Sequence, residues 1–272
     1  MTIDQYAVVG HPISHSKSPA IHMQFAQQTN QILQYTAIDI EPELFDEKIK
    51  AFFKNGGKGL NVTVPFKEKA FELADHLSDR AKTAQAVNTL ILNDDGSITG
   101  DNTDGKGLVN DLLNSTELKG KTILVIGAGG ASKGVLLPII EQQPKSITIV
   151  NRTFSKAKSL AEQFSDFYQN IQAVELDKIN ESFDVIVNAT SASLQGQSLN
   201  INANIIAEHT VCYDMMYGKE QTVFNQWASK QGAKKTIDGL GMLVGQAAFS
   251  FYLWRGVEPQ TQIVMNSIRE NM

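Results

Sequence analysis

At 272 residues, 42% of them hydrophobic, the chain can bury a substantial core and is long enough for two modest domains. Twenty-four lysines and arginines against 29 aspartates and glutamates leave a net charge of −5, which gives no general attraction to nucleic acid or to an anionic membrane surface. Any anion it binds must be met by local positive groups.

The start, Met1-Thr2-Ile3-Asp4-Gln5, has neither the basic segment nor the long apolar stretch of a secretory signal. Short apolar runs then alternate with helical patterns: Tyr6-Ala7-Val8-Val9, a helix from about Pro19 to Gln28, Tyr35-Thr36-Ala37-Ile38, a helix from about Pro42 to Phe53, and Gly59 to Val64. Such alternation argues for βαβ units and a mostly parallel sheet. Val87 to Leu92, the turn signal Asp94-Asp95-Gly96, and Ile98-Thr99 predict a β-hairpin, followed by a helix from Asp104 to Asn114.

From Thr122 the pattern is strand, glycine turn, helix, repeated through Ile147 to Val150, Val185 to Asn188, and Val211 to Asp214, which describes a Rossmann-like unit. Cys212, the only cysteine, has no intrachain partner and lies in an apolar run. It reads as a small core residue and suits a reducing cytoplasm. Two helical segments, Gly241 to Trp254 and Thr261 to Arg269, close the chain, and their apolar faces are expected to dock back on the first domain. The uncharged run Gly239 to Trp254 has 16 residues, short of the about 20 that cross a bilayer. The expected class is α/β with two domains. Residues 1–103 with 239–272 form an N-terminal α/β substrate domain, and 104–238 form a dinucleotide-binding domain, with a cleft between them that closes on the cofactor. His11 and His15 are separated by Pro12 and do not share a helix face, and no other metal-ligand spacing occurs.

The turn Gly127-Ala128-Gly129-Gly130-Ala131-Ser132 directly follows the strand Ile123 to Ile126. Glycines there let the backbone approach a pyrophosphate, and the free N–H groups of the next helix face the anion. The second strand ends in Asn151-Arg152-Thr153, where a site for NAD places an acid on the ribose 2′-hydroxyl. A guanidinium instead forks onto a 2′-phosphate, so the expected cofactor is NADP. Ser132 stands where the fingerprint has Gly or Ala.

Four polar clusters lie at the ends of apolar runs in the first domain, where open α/β sheets place ligands: Ser16-Lys17-Ser18-Pro19, Asn61 to Lys67, Asn88-Thr89, and Asp101 to Asp104. Period two sets Asn61, Thr63 and Pro65 on one side. Singly, each has a plain alternative, with Ser18 and Asp104 as helix caps and Asn61 and Thr63 facing solvent. Together they supply hydroxyls, amides, one ammonium and one carboxylate, a set suited to a small polyhydroxylated substrate.

Gly10 to Pro19, Asn61 to Lys67, Ala86 to Thr89, Gly100 to Gly105, Gly127 to Ser132, Asn151 to Thr153, and Asp238-Gly239 through Gln246 resemble the motifs of the shikimate dehydrogenase family, in the family's order across nearly the whole chain. The resemblance implies NADPH-dependent reduction of 3-dehydroshikimate to shikimate, on the route to chorismate and the aromatic amino acids. It implies substrate contacts from Ser16, Ser18, Asn61, Thr63, Asn88, Asp104, Tyr217 and Gln246, with Lys67 catalytic; the chemistry of ketone reduction adds the expectation that Lys67 protonates the forming alkoxide while Asp104 orients it. The cofactor falls to Gly127, Ala128, Gly129, Gly130, Ala131, Asn151, Arg152, Thr153 and Lys156, with Asp79, Met215 and Gly239 as further carry-overs. A homodimer is compatible with the sequence. The alternatives are a broader quinate/shikimate dehydrogenase, a catalytically idle NADP-binding sensor, and a partner-binding protein, for which no exposed apolar stripe or charged tail is found.

Overall fold

The computed structural model describes residues 3–190 and 201–272. It begins with β1 (Asp4–Gly10), α1 (Ser18–Gln28), β2 (Leu33–Asp39), a 3-10 turn at Pro42–Leu44, α2 (Phe45–Lys54), β3 (Gly57–Val62), α3 (Lys67–Leu73), β4 (His76–Leu77), α4 (Asp79–Ala84), β5 (Thr89–Leu92) and β6 (Ile98–Asp101). The strand order is β2-β1-β3-β5-β6-β4. β1 pairs parallel with both β2 and β3, while β5 is antiparallel to β3 and to β6. The last five residues of β1 are buried, as befits a strand covered on both faces. Alternation along it sends Ala7 and Val9 to Phe45, Ile49 and Phe53 of α2, and Tyr6 to the other face.

The expected strand over 59–64 stops at Val62. Thr63 N–H is taken by Val9 O, Val64 O accepts from His11 N–H, and Phe66 N–H closes a turn onto Thr63 O, so Thr63 and Pro65 lie on a turn and not on a strand face. The two-residue β4 and six-residue α4 were not expected; both are too short to show a period.

α5 (Asp104–Leu113) leads to β7 (Thr122–Ile126), α6 (Gly130–Ile140), β8 (Ser146–Val150), α7 (Phe154–Ser165), β9 (Ile171–Ala173), β10 (Val185–Asn188), β11 (Val211–Asp214), α8 (Val223–Lys230) and β12 (Lys235–Asp238). The second sheet runs β12-β11-β10-β7-β8-β9 and is parallel throughout. From β7 the chain steps outward through β8 and β9, then returns to β10 on the other side of β7. That reversal is the doubly wound order, with its switch point between β7 and β10. Cys212 is fully buried on β11, and burial pushes its thiol up to about 12. α9 (Leu240–Arg255) and α10 (Thr261–Glu270) complete the chain.

The chain divides into two compact units, Met1–Gly107 with Val244–Asn271, and Leu108–Leu243. Both boundaries fall inside helices, α5 and α9, a few residues beyond 103/104 and 238/239. In the first unit α9 covers the Tyr6 face of the sheet, where Trp254 packs 4.9 Å from the Tyr6 ring and its indole N–H donates to Leu90 O. Among the described residues no helix is long and apolar enough to cross a membrane.

Candidate active site

In the first unit β1 and β3 run parallel, β5 runs back and β6 runs forward again. The chain therefore places four segments at one edge of the sheet: the loop after β1, the turn after β3, the start of β5, and the end of β6. All four polar clusters of the sequence occupy that edge. Val62 N–H bonds to Asn88 O, and Asn88 N–H to Asp101 O, which locks three of them in register.

Lys67 opens α3 and Asp104 opens α5, and Lys67 Nζ lies 2.5 Å from Asp104 Oδ2. The side chains are 29% and 11% exposed, so the pair is partly desolvated yet reachable. Among the described residues Asp104 is the only acceptor for this ammonium, which keeps two further donors. The other carboxylate oxygen accepts from Asn88 Nδ2 at 2.7 Å. Asp104 is thus held from two sides and does not serve as a cap. Nor does Ser18: Lys17 occupies the cap position of α1 without a side-chain bond, and Ser18 N–H donates to Ser16 Oγ at 3.3 Å.

Asn88 is the hub. Its Nδ2 also reaches Thr103 Oγ1 at 2.9 Å, and its Oδ1 accepts from Thr103 N–H and the Thr89 hydroxyl, each at 2.9 Å. Gln246 Oε1 lies 3.4 Å from both Asn88 Nδ2 and Thr103 Oγ1. Ser250, one helical turn beyond Gln246 on α9, bonds Thr89 at 2.8 Å. Asn61 is buried, not solvent-facing: its Oδ1 accepts from Tyr35 at 2.7 Å, and its Nδ2 faces Ser250, Thr89 and Asn88 O at 3.0 to 3.2 Å. Asp101 accepts from Arg80 at 2.7 and 3.2 Å and from Asn102 N–H at 2.7 Å, which fixes the turn into Asp104.

Ser16, Thr63 and Ser18 border this edge, Ser16 and Thr63 half-buried and Ser18 buried. Asp79 belongs to the same unit, in the first turn of α4, with its carboxylate 96% exposed beside Lys82. Tyr217 follows β11 in the other unit, and burial, then Asp238, push its phenol up. Thr89 and Thr103 stand in the polar clusters of the sequence, whereas Tyr35, Ser250 and Arg80 lie outside every motif. Only Ser250 had a local signal, its helical spacing from Gln246.

In the second unit the glycine turn lies at the switch point. Gly127 has φ +115°, and a Cβ there would lie 3.1 to 3.3 Å from Thr190 and Ala189. Ser132 occupies the third fingerprint position without cost: it is fully buried and its hydroxyl donates to Gly127 O at 2.8 Å. Gly129 caps α6 with no side-chain bond, and a Cβ on Gly129 or Gly130 would meet nothing within 4 Å. An uncapped helix N-terminus under open space, with an exposed Arg152 and Lys156 after the neighbouring strand, fits a phosphorylated dinucleotide. Asn151 Nδ2 donates to Thr153 O at 2.9 Å and shapes that loop. Met215 is buried after β11, bonded to Asn188 O, and Gly239 passes so close that a Cβ would lie 2.1 Å from Met215 O.

Three family profiles match in chain order: the shikimate dehydrogenase substrate binding domain over residues 8–90, shikimate / quinate 5-dehydrogenase over 108–203, and the shikimate 5'-dehydrogenase C-terminal domain over 239–269. A curated relative named shikimate dehydrogenase (NADP(+)), from Vibrio cholerae serotype O1, is 56% identical over 271 residues, covering 99% of this chain and 97% of its own length. A relative of the same name from Vibrio campbellii is 55% identical, over 100% of this chain and 98% of its own. A solved shikimate 5-dehydrogenase from Thermus thermophilus, in complex with NADP(H) and shikimate, matches with a TM-score of 0.89 at 32% identity, over 99% of this chain and 100% of that one.

Proposed function

The chain belongs to the shikimate dehydrogenase family, and from that premise we infer that it is an NADP-dependent oxidoreductase interconverting 3-dehydroshikimate and shikimate. The observation that carries the mechanism is the Lys67–Asp104 contact, set in a field of neutral amides and hydroxyls. When bound, NADPH supplies the hydride that reduces the ketone carbon. Negative charge then builds on the carbonyl oxygen, which needs a proton donor within hydrogen-bond reach. Lys67 Nζ donates that proton. Asp104 holds the ammonium in place and accepts from a substrate hydroxyl, and Asn88 keeps the carboxylate from turning.

Ser16, Ser18, Asn61, Thr63, Asn88 and Gln246 bind the remaining hydroxyls and the carboxylate, and Asn61 also supports Asn88 from beneath. Tyr217 is assigned to the substrate, and Asp79, Met215 and Gly239 to the cofactor, on the resemblance alone. The first-turn N–H groups of α6 take the pyrophosphate, and Arg152, with Asn151, Thr153 and Lys156, takes the 2′-phosphate. We place the enzyme in the cytoplasm, supported by its single buried thiol. The exposed Ile32, Val257 and Ile263 of the first unit leave room for a homodimer, which sedimentation would detect.

The test is shikimate oxidation followed by NADPH absorbance, with NADP and NAD in parallel and quinate as the competing substrate. Fast turnover with shikimate and NADP alone is expected. Comparable turnover of quinate would replace the reading by a broader dehydrogenase, and NADPH binding without turnover would replace it by a sensor.

A further inference from the structure

We propose that Tyr35, stacked on His22, is a positioning residue for the substrate site: its phenol holds the Asn61 amide in one orientation, and through it the Asn88–Asp104–Lys67 chain. This rests on the assignment of that chain to the substrate.

The polarity of the chain follows from one acceptor. A side-chain amide can turn over with little steric change, so its partners decide which end is nitrogen. One end of Asn61 faces the backbone carbonyl of Asn88 at 3.2 Å, a group that can only accept, so that end is Nδ2. The end facing Tyr35 is therefore Oδ1, and the phenol must donate, at 2.7 Å. From there the bonds run without a break: Asn61 to the Asn88 backbone, Asn88 Nδ2 to Asp104 at 2.7 Å, and Lys67 to Asp104 at 2.5 Å.

The ring is itself held. His22 of α1 lies flat on it, with centroids 4.1 Å apart and planes 4° apart, and Phe25, Phe251 and Trp254 surround the imidazole. His22 is 1% exposed, and among the described residues neither ring nitrogen makes a well-directed hydrogen bond. Burial pushes its pKa down to about 3, with Asn61 the polar group acting on it, so the imidazole stays neutral at any working pH. It serves as an uncharged platform that fixes the plane of Tyr35.

Tyr35→Phe keeps the stack and removes only the donor. The expected result is a shikimate kcat/KM lowered about tenfold, the worth of one buried hydrogen bond, through a raised KM and a lowered kcat because the chain ends on Lys67, with the KM for NADP unchanged. In an Asn61→Ala background, Tyr35→Phe should change the shikimate kcat/KM no further, because both act through one amide. Wild-type turnover of shikimate with NADP checks the substrate assignment, and its absence overturns both. Turnover in the wild type with an unchanged shikimate kcat/KM in Tyr35→Phe, or additive effects in the double variant, overturns the positioning role alone. Should Tyr35→Phe not fold, Asn61→Ala decides, since an unaltered shikimate kcat/KM there also overturns it.

Discussion

Lys67 Nζ sits 2.5 Å from Asp104 Oδ2, at the junction where α3 and α5 begin, and the opposite oxygen of the same carboxylate is bound by Asn88. A proton donor held this way contributes through kcat more than through binding. Lys67→Ala should lower kcat by about 10²- to 10⁴-fold and leave the shikimate dissociation constant within a few fold. Steady-state rates with shikimate titration calorimetry separate the two. A variant that keeps most of its turnover while binding shikimate normally would remove Lys67 from the chemistry.

Two glycines predict opposite outcomes for one substitution. A Cβ on Gly239 would lie 2.1 Å from the backbone oxygen of Met215, which cannot rotate away, so Gly239→Ala should destabilise the second unit by about 1–3 kcal/mol in urea unfolding. Gly129, with φ −96° and nothing within 4 Å of its Cβ, should accept alanine with no loss of stability. Its cost should instead fall on NADP, because the methyl group fills the space over the helix N-terminus. Equal stability losses in both variants would contradict the assignment of that space to the cofactor.

Arg152 is exposed at the loop that follows β8, close in sequence to the exposed Lys156. A charge-assisted bond to phosphate is worth about 1.5–3 kcal/mol, so Arg152→Ala should weaken NADP by roughly 10- to 100-fold and leave NAD nearly unchanged. Arg152→Glu should carry the preference further toward NAD, since a carboxylate repels the 2′-phosphate. Fluorescence titration with both dinucleotides gives the ratio. Parallel loss of both would mean that Arg152 supports the loop and not the phosphate.

The parallel strands were legible because strands buried on both faces appear as short apolar runs; Val185–Asn188 and Val211–Asp214 match to the residue. The glycine turn was legible because its backbone must bend and approach at once. What was not legible is made of distant partners. Tyr35 meets Asn61 across 26 positions, and Ser250 meets Thr89 across 161, so neither carries a local pattern. The same holds for Arg80, whose α4 is too short to show a period. Asn61 stood in the motif, but its inward orientation depends on Tyr35, Ser250 and Thr89, none of which the motif contains.

The loop carrying Ser16 and Ser18 is anchored at its start by a titratable pair. His11 Nδ1 lies 2.6 Å from Asp39 Oδ1, and the other Asp39 oxygen accepts from Ile13 N–H at 3.2 Å. The Asp39 bond raises the His11 pKa above the usual 6.5, and His11, with Ile13 N–H, lowers Asp39 below 3.8. A raised histidine contributes fully below its ordinary pKa and is lost as pH rises through the folded value. A lowered aspartate contributes above its ordinary pKa and is lost as pH falls through the folded value. The anchor is therefore complete between about pH 3.8 and 6.5 and loosens on the alkaline side as His11 gives up its proton. Proton NMR should place the His11 midpoint above 6.5, lower it in Asp39→Asn with Glu41, 3.7 Å from the other ring nitrogen, still acting on it, and show faster exchange at the Ile13 amide once that midpoint is passed. An ordinary His11 midpoint in the wild type would mean that solvent screens this exposed pair, and the loop would then depend on its backbone bonds, His11 N–H to Val64 O and Ser16 N–H to Ile13 O.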